Sequence, residues 1–412
     1  MSAKVLLLSS VGWPSVARLA AGFAHASCTV EALAPAGAVI AASRYLSRRH
    51  PYSAIAPGRA MRTAITQSAP DLLVACDDRA LSQLLSLYRL EREDSTVRDL
   101  VRRSLGNPDV VPRLISRSGF IAEARSEGIR VPETLAVSGR AELHEALAIL
   151  GLPAVLKSDG SWGGEGVVIA RNVAEAEVGY ARLTRVPSLL RGVARALKRR
   201  DVHFARDAIA PKAPRVSVQK FIPGTQAASA FAAWRGEVVG AIYYDVLVAD
   251  GTIGPPNVIR RVDCPQLKSA TLKIARRFGL SGIHGLDFIR DADGAAHLIE
   301  INPRATQGST LAFGPGRDLP AALARSIEPN GGMRPAIPND LVAIFPREWR
   351  RDPLSPFLVD AYHDVPWDDP GVLFASLGVR PPGWVGSRRT ETQFPIRVAA
   401  GQHPELVAPQ SG

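Results

Sequence analysis

Apolar and polar positions change their period several times along the chain. "KVLLL", Lys4–Leu8, is an unbroken apolar run after its lysine, the pattern of a strand buried on both faces. From Pro14, "PSVARLAAGFAHA" repeats its apolar residues at helical spacing. "CTVEALAP" from Cys28 and "DLLVACDD" from Asp71 read as further strands, with helix-like segments between and after them. Strands alternating with helices predict a parallel sheet with covered faces, so residues 1–110 are expected to form a Rossmann-like domain. No GxGxxG follows the first strand, so dinucleotide binding is not supported.

The pattern then shifts. Residues 111–150 read as largely helical around an extended "IRVPET" break. "AVLKSDG" and "EGVVIAR" read as two strands around a glycine loop, and "RVSVQKFIPG" as a strand closed by Pro223 and Gly224. "AASAFAAWRGEVVGAIYYDVLV" predicts antiparallel strands turning at Arg235 and Gly236. "CPQLKSATLKIARRFGL" has a helical period with Gly279 near its end, and a hairpin is expected over 283–303. Beyond about 345 the chain is rich in Pro, Trp and Asp and predicts an irregular, partly packed extension with a frayed end. The expected organisation is α/β in residues 1–110, linker helices and a lid over 111–224, a second unit with antiparallel strands over 225–345, and an extension over 346–412. A basic helix is inserted near 185–212, where Arg191, Arg195, Lys198 and Arg199 fall near one face.

Composition narrows the class. The 412 residues are 46% apolar and 22% charged, ordinary for a globular protein. The net charge is +11, and 43 of the 50 cationic side chains are arginine. A GC-rich genome accounts for such arginine, and an anionic partner such as a nucleotide is the sharper reading; the arginine pairs are scattered and no nucleic-acid motif accompanies them, so no nucleic-acid function is expected. Cys28, Cys76 and Cys264 are odd in number and far apart, with no CxxC, which argues against a disulfide framework or zinc site and fits a cytoplasmic location. The first apolar run is too short for a signal peptide, and no later run predicts a membrane span.

Three stretches carry chemistry. "GLDFIRDADGAAHLIEINPRA" contains Asp293-Gly294, a two-residue hairpin turn signal. With those two as the loop, Ala292 pairs with Ala295, and counting outward sets Asp287 opposite Glu300. Alternation puts Glu300, Asn302 and Arg304 on one face, with Ile299 and Ile301 on the other. Facing carboxylates repel, and a hard divalent cation with Asn302 as a further oxygen ligand would relieve them. The alternative is a surface hairpin whose acidic face pairs with Arg290 or Arg304. In "LPAVLKSDGSWGGEGVVIA", Lys157 ends an apolar strand and Gly160, Ser161, Gly163, Gly164 and Gly166 follow, so backbone N–H groups and an ammonium could hold phosphate. The lysine precedes the glycines, so this is not a Walker A loop. The third stretch, "SVQKFIPG", is unremarkable alone.

In this order the three resemble the ATP-grasp superfamily, in particular carbamoyl phosphate synthetase-like and D-alanine–D-alanine ligase-like carboxylate–amine ligases. The resemblance covers about residues 111–330. It implies an N-terminal Rossmann-like domain followed by a two-subdomain fold with antiparallel sheets. It implies that Lys157 and the 160–166 loop hold ATP phosphates, that Gln219, Lys220, Phe221 and Ile222 hold adenine at a hinge, and that Asp287, Glu300 and Asn302 bind two Mg2+ (or Mn2+) ions. Arg304 would steady the transferred phosphoryl group or the carboxylate, and Arg117, in "RSGFIAEARSEG", matches the family's further phosphate-contacting cation. Ser158, Trp162 and Lys220 depart from the family's usual residues, and the stretch between Lys157 and Gln219 is long.

The activity so implied is Mg-dependent ligation: a carboxylate is activated as an acyl phosphate and attacked by an amine or thiol. A phosphotransferase and a non-catalytic nucleotide-binding protein are the alternatives. Expected partners are a small-molecule carboxylate and amine, with neither nucleic acid nor membrane, and the chain could form a homodimer. "CDDRA", with Asp77, Asp78 and Arg79, is a candidate acceptor contact at a strand end. His284 is expected to be structural.

Overall fold

The computed structural model describes residues 2–159, 166–185, 215–251 and 254–379. The glycine-loop residues Gly160, Ser161, Trp162, Gly163 and Gly164, nearly all of the basic insertion, and residues 380–412 lie outside them. The chain opens with β1 (Lys4–Leu8), α1 (Pro14–His25), β2 (Thr29–Ala34), β3 (Arg48–Pro51), α2 (Pro57–Ser68), β4 (Leu72–Ala75), α3 (Asp78–Leu90) and α4 (Thr96–Leu105). The strands form a parallel sheet in the order β3-β2-β1-β4. Each face is covered, which explains the unbroken apolar runs. Val5, Leu7, Val30 and Val74 pack with Val16, Leu19 and Phe23 of α1. Leu6, Leu8, Leu33 and Leu73 pack with Met61 and Ile65 of α2 and Leu84 of α3. Strand β3 was not expected: "RRHP" has no apolar pattern, and only His50 is buried. It pairs only with β2, and an edge strand tolerates both its charges and Pro51.

Helices α5 (Val111–Ile115) and α6 (Arg117–Ser126) lead to a second sheet. Its elements are β5 (Thr134–Val137), α7 (Arg140–Leu150), β6 (Ala154–Ser158), β7 (Val167–Ala170), α8 (Val173–Leu183) and β8 (Val216–Lys220). The order is β5-β8-β6-β7, with every pairing antiparallel. The extended break read at "IRVPET" therefore runs on into a strand, β5, whose residues are mostly half-buried and give a weak signal.

The third sheet holds β9 (Thr225–Trp234), β10 (Glu237–Ala249), β11 (Pro256–Arg261), β12 (Gly282–Arg290), β13 (Ala296–Asn302), β14 (Leu341–Ala343) and β15 (Tyr362–His363), in the order β13-β12-β9-β10-β11-β14-β15. Helix α9 (Pro265–Phe278) lies against one face. Strand β9 alternates between two cores: Ala228, Ala230 and Ala232 face α1 and the N-terminal sheet's core, while Ala227, Phe231 and Ala233 face Leu267 and Ile274 of α9. Its one polar interior side chain, Ser229, is satisfied by Thr271 Oγ1 at 2.8 Å. The Arg235-Gly236 turn forms as expected, with φ of 52° and 88°, the double left-handed signature of a tight hairpin.

The extension is more ordered than its composition suggests. Strands β14 and β15 complete the large sheet's edge, and the helix Pro370–Leu377 packs beside residues 39–42. Asp369 accepts hydrogen bonds from Ser43 Oγ and the Arg44 N–H, tying this segment to the N-terminal unit. Among the described residues no helix is long and apolar enough to cross a membrane, and all three cysteines are free and buried.

The N-terminal unit meets the large sheet where α4 ends. The Ser281 N–H donates to Leu105 O at 3.1 Å, and Gly106, at φ 84°, lies so close that a Cβ there would stand 2.0 Å from Gly279 O. Gly106→Ala is expected to destabilise the protein by about 1–3 kcal/mol. Denaturant unfolding checks this; an unchanged midpoint would show that the junction yields freely.

Candidate functional site

The hairpin of β12 and β13 builds the site's floor. Leu286 and Phe288 point into the core against α9, which leaves Asp287 on the opposite face, toward the cleft. Asp287 pairs with Glu300, and Gly285 with Asn302. The expected opposition of carboxylates is present, but the turn differs from the two-residue loop. Asp291 N donates to Ala295 O, leaving Ala292, Asp293 and Gly294 as a three-residue loop, with Gly294 at φ 77°. The Asp291 carboxylate fixes this loop by accepting from the N–H groups of Asp293 and Ala295. Near the turn the register is thus one residue off the expected count, with Phe288 opposite Leu298. A β-bulge at Ile299 then restores it, so that Glu300 still meets Asp287. The bulge also corrects the expected alternation. Leu298 and Ile301, three apart, both enter the core, whereas Ile299 borders the cleft.

Each carboxylate also has a polar partner of its own. Arg117 of α6 donates through Nη1 to Glu300 Oε2 and through Nε to Ser158 O at 3.1 Å, while its backbone N–H donates to Asp159 Oδ1. Asn302 Nδ2 donates to Asp287 Oδ2 at 2.8 Å. Burial, with the Glu300 charge beside it, pushes the Asp287 carboxyl well above the usual range. Burial also acts upward on Glu300, but Arg117 and Lys157 outweigh it and hold Glu300 low. Of the two arginines expected to neutralise an ordinary surface hairpin, Arg290 is taken by Asp245 at 2.7 Å and Arg304 by Asp78 at 2.9 Å. Among the described residues no three His, Cys, Asp or Glu side chains converge, so the set is two carboxylates and an amide. That set suits a hard cation that takes its remaining ligands from water or phosphate oxygens.

Lys157 ends β6 and is buried, 4% exposed. Burial lowers its ammonium to a pKa of about 8, with Glu300 opposing and Arg117 reinforcing the shift. Gly166 closes the glycine loop, and its carbonyl accepts from Ser158 N at 2.9 Å. Gln219 is buried and donates to Thr134 Oγ1 at 3.0 Å. Lys220, Phe221 and Ile222 then cross from the second sheet to the third along the cleft wall. Gly224 ends this crossing against β12, where a Cβ would stand 2.1 Å from Arg290 O.

These residues border one cleft of about 1230 Å³ between the sheets. It gathers Lys157, Arg117, Gln219, Lys220, Phe221, Ile222, Asp287, Glu300, Asn302 and Arg304. Val155, Val167, Ile169 and Ile222 give part of it an apolar lining. Arg304 reaches the N-terminal unit because Ala305 N donates to Ala75 O at the end of β4, which brings the guanidinium beside Asp78 at the start of α3. Of the "CDDRA" residues, Asp78 borders the cleft. Asp77 instead caps α3 and accepts from Ser9, Ser10 and the Ala80 N–H. His284 is structural as expected: it is buried, its Nε2 contacts Ser281 O at 2.8 Å, and burial drops its pKa to about 4. The motifs gave no sign of Arg18, Arg347 and Arg350, which also border the cleft. The "FPREWRR" stretch that holds two of them was read only as an irregular extension.

No known family's sequence pattern matches the chain. No curated protein matches it in sequence either. Solved structures do match in fold. The ADP complex of N5-carboxyaminoimidazole synthetase from Staphylococcus aureus superimposes with a TM-score of 0.56 at 13% identity, over 81% of this chain and 79% of that one. The biotin carboxylase domain of Hydrogenobacter thermophilus 2-oxoglutarate carboxylase, solved with MgADP and bicarbonate, gives 0.59 at 15% identity, over 82% and 71%. Carboxyaminoimidazole ribonucleotide synthase from Aspergillus clavatus, complexed with ATP, gives 0.55 at 15%, over 81% and 78%. The fold is the ATP-grasp fold, as the three-part resemblance implied.

Lys157 keeps its proton below about pH 8 and loses it above. The affinity of the cleft for pyrophosphate, measured by calorimetry, should therefore exceed that of Lys157→Met at pH 6.5–7.5, and the advantage should shrink as pH rises through about 8. An advantage independent of pH would contradict the assignment of Lys157 as the charge that meets the anion.

Proposed function

We propose that the chain is an ATP-dependent ligase that activates a carboxylate as an acyl phosphate for attack by an amine or thiol. The observation that carries this reading is the convergence, in one cleft, of a buried lysine, two arginines and an opposed carboxylate pair with its amide. The fold it shares with ATP- and ADP-bound synthetases and carboxylases supports the same reading.

Each residue then has a task. The apolar lining and the Gln219–Ile222 crossing receive adenine, with backbone groups of the crossing reading its edge. Lys157, Arg117 and the 160–166 loop hold the phosphates. Asp287, Glu300 and Asn302 hold Mg2+ or Mn2+, two ions in this reading; the raised Asp287 carboxyl is the expected mark of a carboxylate pair awaiting a cation. A metal held there would neutralise phosphate charge and polarise a phosphoryl oxygen. Glu300 would have to exchange Arg117 for metal, and Asn302 would have to turn its oxygen outward, so nucleotide binding rearranges these two contacts. Arg304, fixed by Asp78, stands where charge spreads onto the transferred phosphoryl group.

The chemistry balances without a protein nucleophile. A carboxylate oxygen attacks the γ-phosphorus, the bond to the β–γ bridging oxygen breaks, and ADP leaves. The amine then attacks the acyl carbon, phosphate leaves and a proton is lost. Catalysis is positioning and electrostatics.

Hydroxylamine trapping tests this. With ATP, Mg2+ and a panel of small carboxylates, the enzyme should yield a hydroxamate together with ADP for at least one carboxylate, because hydroxylamine intercepts an acyl phosphate. A phosphorylated alcohol as the product would instead establish a phosphotransferase. Arg304→Ala should lower turnover about 10²–10³-fold while changing nucleotide affinity little, since its contact tightens only as charge develops. Equal loss in affinity and turnover would assign Arg304 to ground-state binding.

A further inference from the structure

The cleft continues past the phosphate-binding groups toward a wall built by α1 and the C-terminal extension. Trp13, Arg18, Phe345, Arg350, Asp364 and Pro366 border it there. Asp364 links Phe345 to Arg18. The Phe345 N–H donates to Asp364 Oδ1 at 2.7 Å, Asp364 Oδ2 stands 3.7 Å from Arg18 Nη2, and Arg350, five residues after Phe345, donates to Ser376 O at 2.6 Å.

The charge on this wall does not cancel. Elsewhere along the cleft each arginine near a carboxylate is tightly paired: Arg304 with Asp78, Arg117 with Glu300, Arg347 with Asp250. Arg351 is paired with Glu348. Arg350 has no carboxylate partner among the described residues, and its recorded bond uses one of the five donors of a guanidinium. Arg18 meets its carboxylate only at 3.7 Å, beyond hydrogen-bond distance, and its Nε is buried with no partner among the described residues. A buried guanidinium donor without an acceptor is costly unless a ligand supplies one. Asp364 is itself buried, which pushes its carboxyl up against the opposing pull of Arg18, and its Oδ1 is already taken by the Phe345 N–H. The exposed indole of Trp13 adds an apolar surface beside these charges.

We infer that this wall is the subsite for a co-substrate bearing an anionic group, a phosphate or a carboxylate distinct from the one activated, held between Arg18 and Arg350. The inference rests on the ligase reading and narrows it: the molecule that meets the activated carboxylate carries its own negative charge at the end remote from the metal site.

The test uses the full-length protein saturated with Mg2+ and β,γ-imido ATP, so that the γ-phosphate position is filled. Inorganic phosphate and succinate are then titrated separately by calorimetry. At least one should bind saturably and with salt dependence, and the better of the two identifies the anion's class. Arg350→Ala, a change at an exposed residue, should weaken that binding about tenfold or more. Arg18→Lys keeps the charge opposite Asp364 but lacks the guanidinium fork, and should weaken it several-fold. Neither variant should alter affinity for the nucleotide. Absence of anion binding, or equal binding by Arg350→Ala, with nucleotide binding intact overturns this inference alone. Failure of the wild type to bind the nucleotide overturns the ligase reading and this inference with it.

Discussion

Asp287 and Glu300 face each other across an antiparallel pair, both half-buried in the cleft wall. Two like charges so placed repel by several kcal/mol at an effective dielectric near that of a protein surface. Something must hold them, and much of the architecture serves that end. Helix α6 delivers Arg117 to Glu300, strand β6 delivers Lys157, and Asn302 bonds back across the hairpin to Asp287. Behind the hairpin, Leu286, Phe288, Leu298 and Ile301 are anchored against α9, so the floor has no freedom to splay. The repulsion is retained by construction, as the proposed cation site requires.

The same arrangement explains why three sheets are needed. The small antiparallel sheet contributes Lys157 and Gln219 from adjacent strands, the large sheet contributes the carboxylates, and the N-terminal unit contributes Asp78 at the start of α3 to fix Arg304. The Ala305–Ala75 hydrogen bond and the Gly106 junction lock the last of these to the large sheet. The C-terminal segment, through Asp369, holds the far end of the cleft to the N-terminal unit.

Much of this was legible in the sequence because the relevant signals are local. The apolar runs of β1, β2 and β4, the Arg235-Gly236 turn and the helical period of α9 each follow from short-range pattern. Strand β3 and the role of Arg350 were not legible, since a charged edge strand and an arginine in a Pro-rich extension owe their places to distant partners. The hairpin is instructive: the count from a two-residue turn reached the Asp287–Glu300 pair although the turn has three residues, because the bulge at Ile299 displaces the register back by one. The carboxylate pairing was read correctly, but the path to it was not, and only the core contacts of Leu298 and Ile301 reveal the difference.

The central claim is that the opposed carboxylates form a metal site for a nucleotide. Calorimetric titration of ATP with and without Mg2+, on the wild type and on Glu300→Ala, addresses it most directly. The account predicts that Mg2+ strengthens ATP binding by the wild type and that this metal-dependent part disappears in the variant. ATP binding that is absent from the wild type under both conditions, or an equal Mg2+ effect in both proteins, would contradict it and return the hairpin to an arginine-paired structural element.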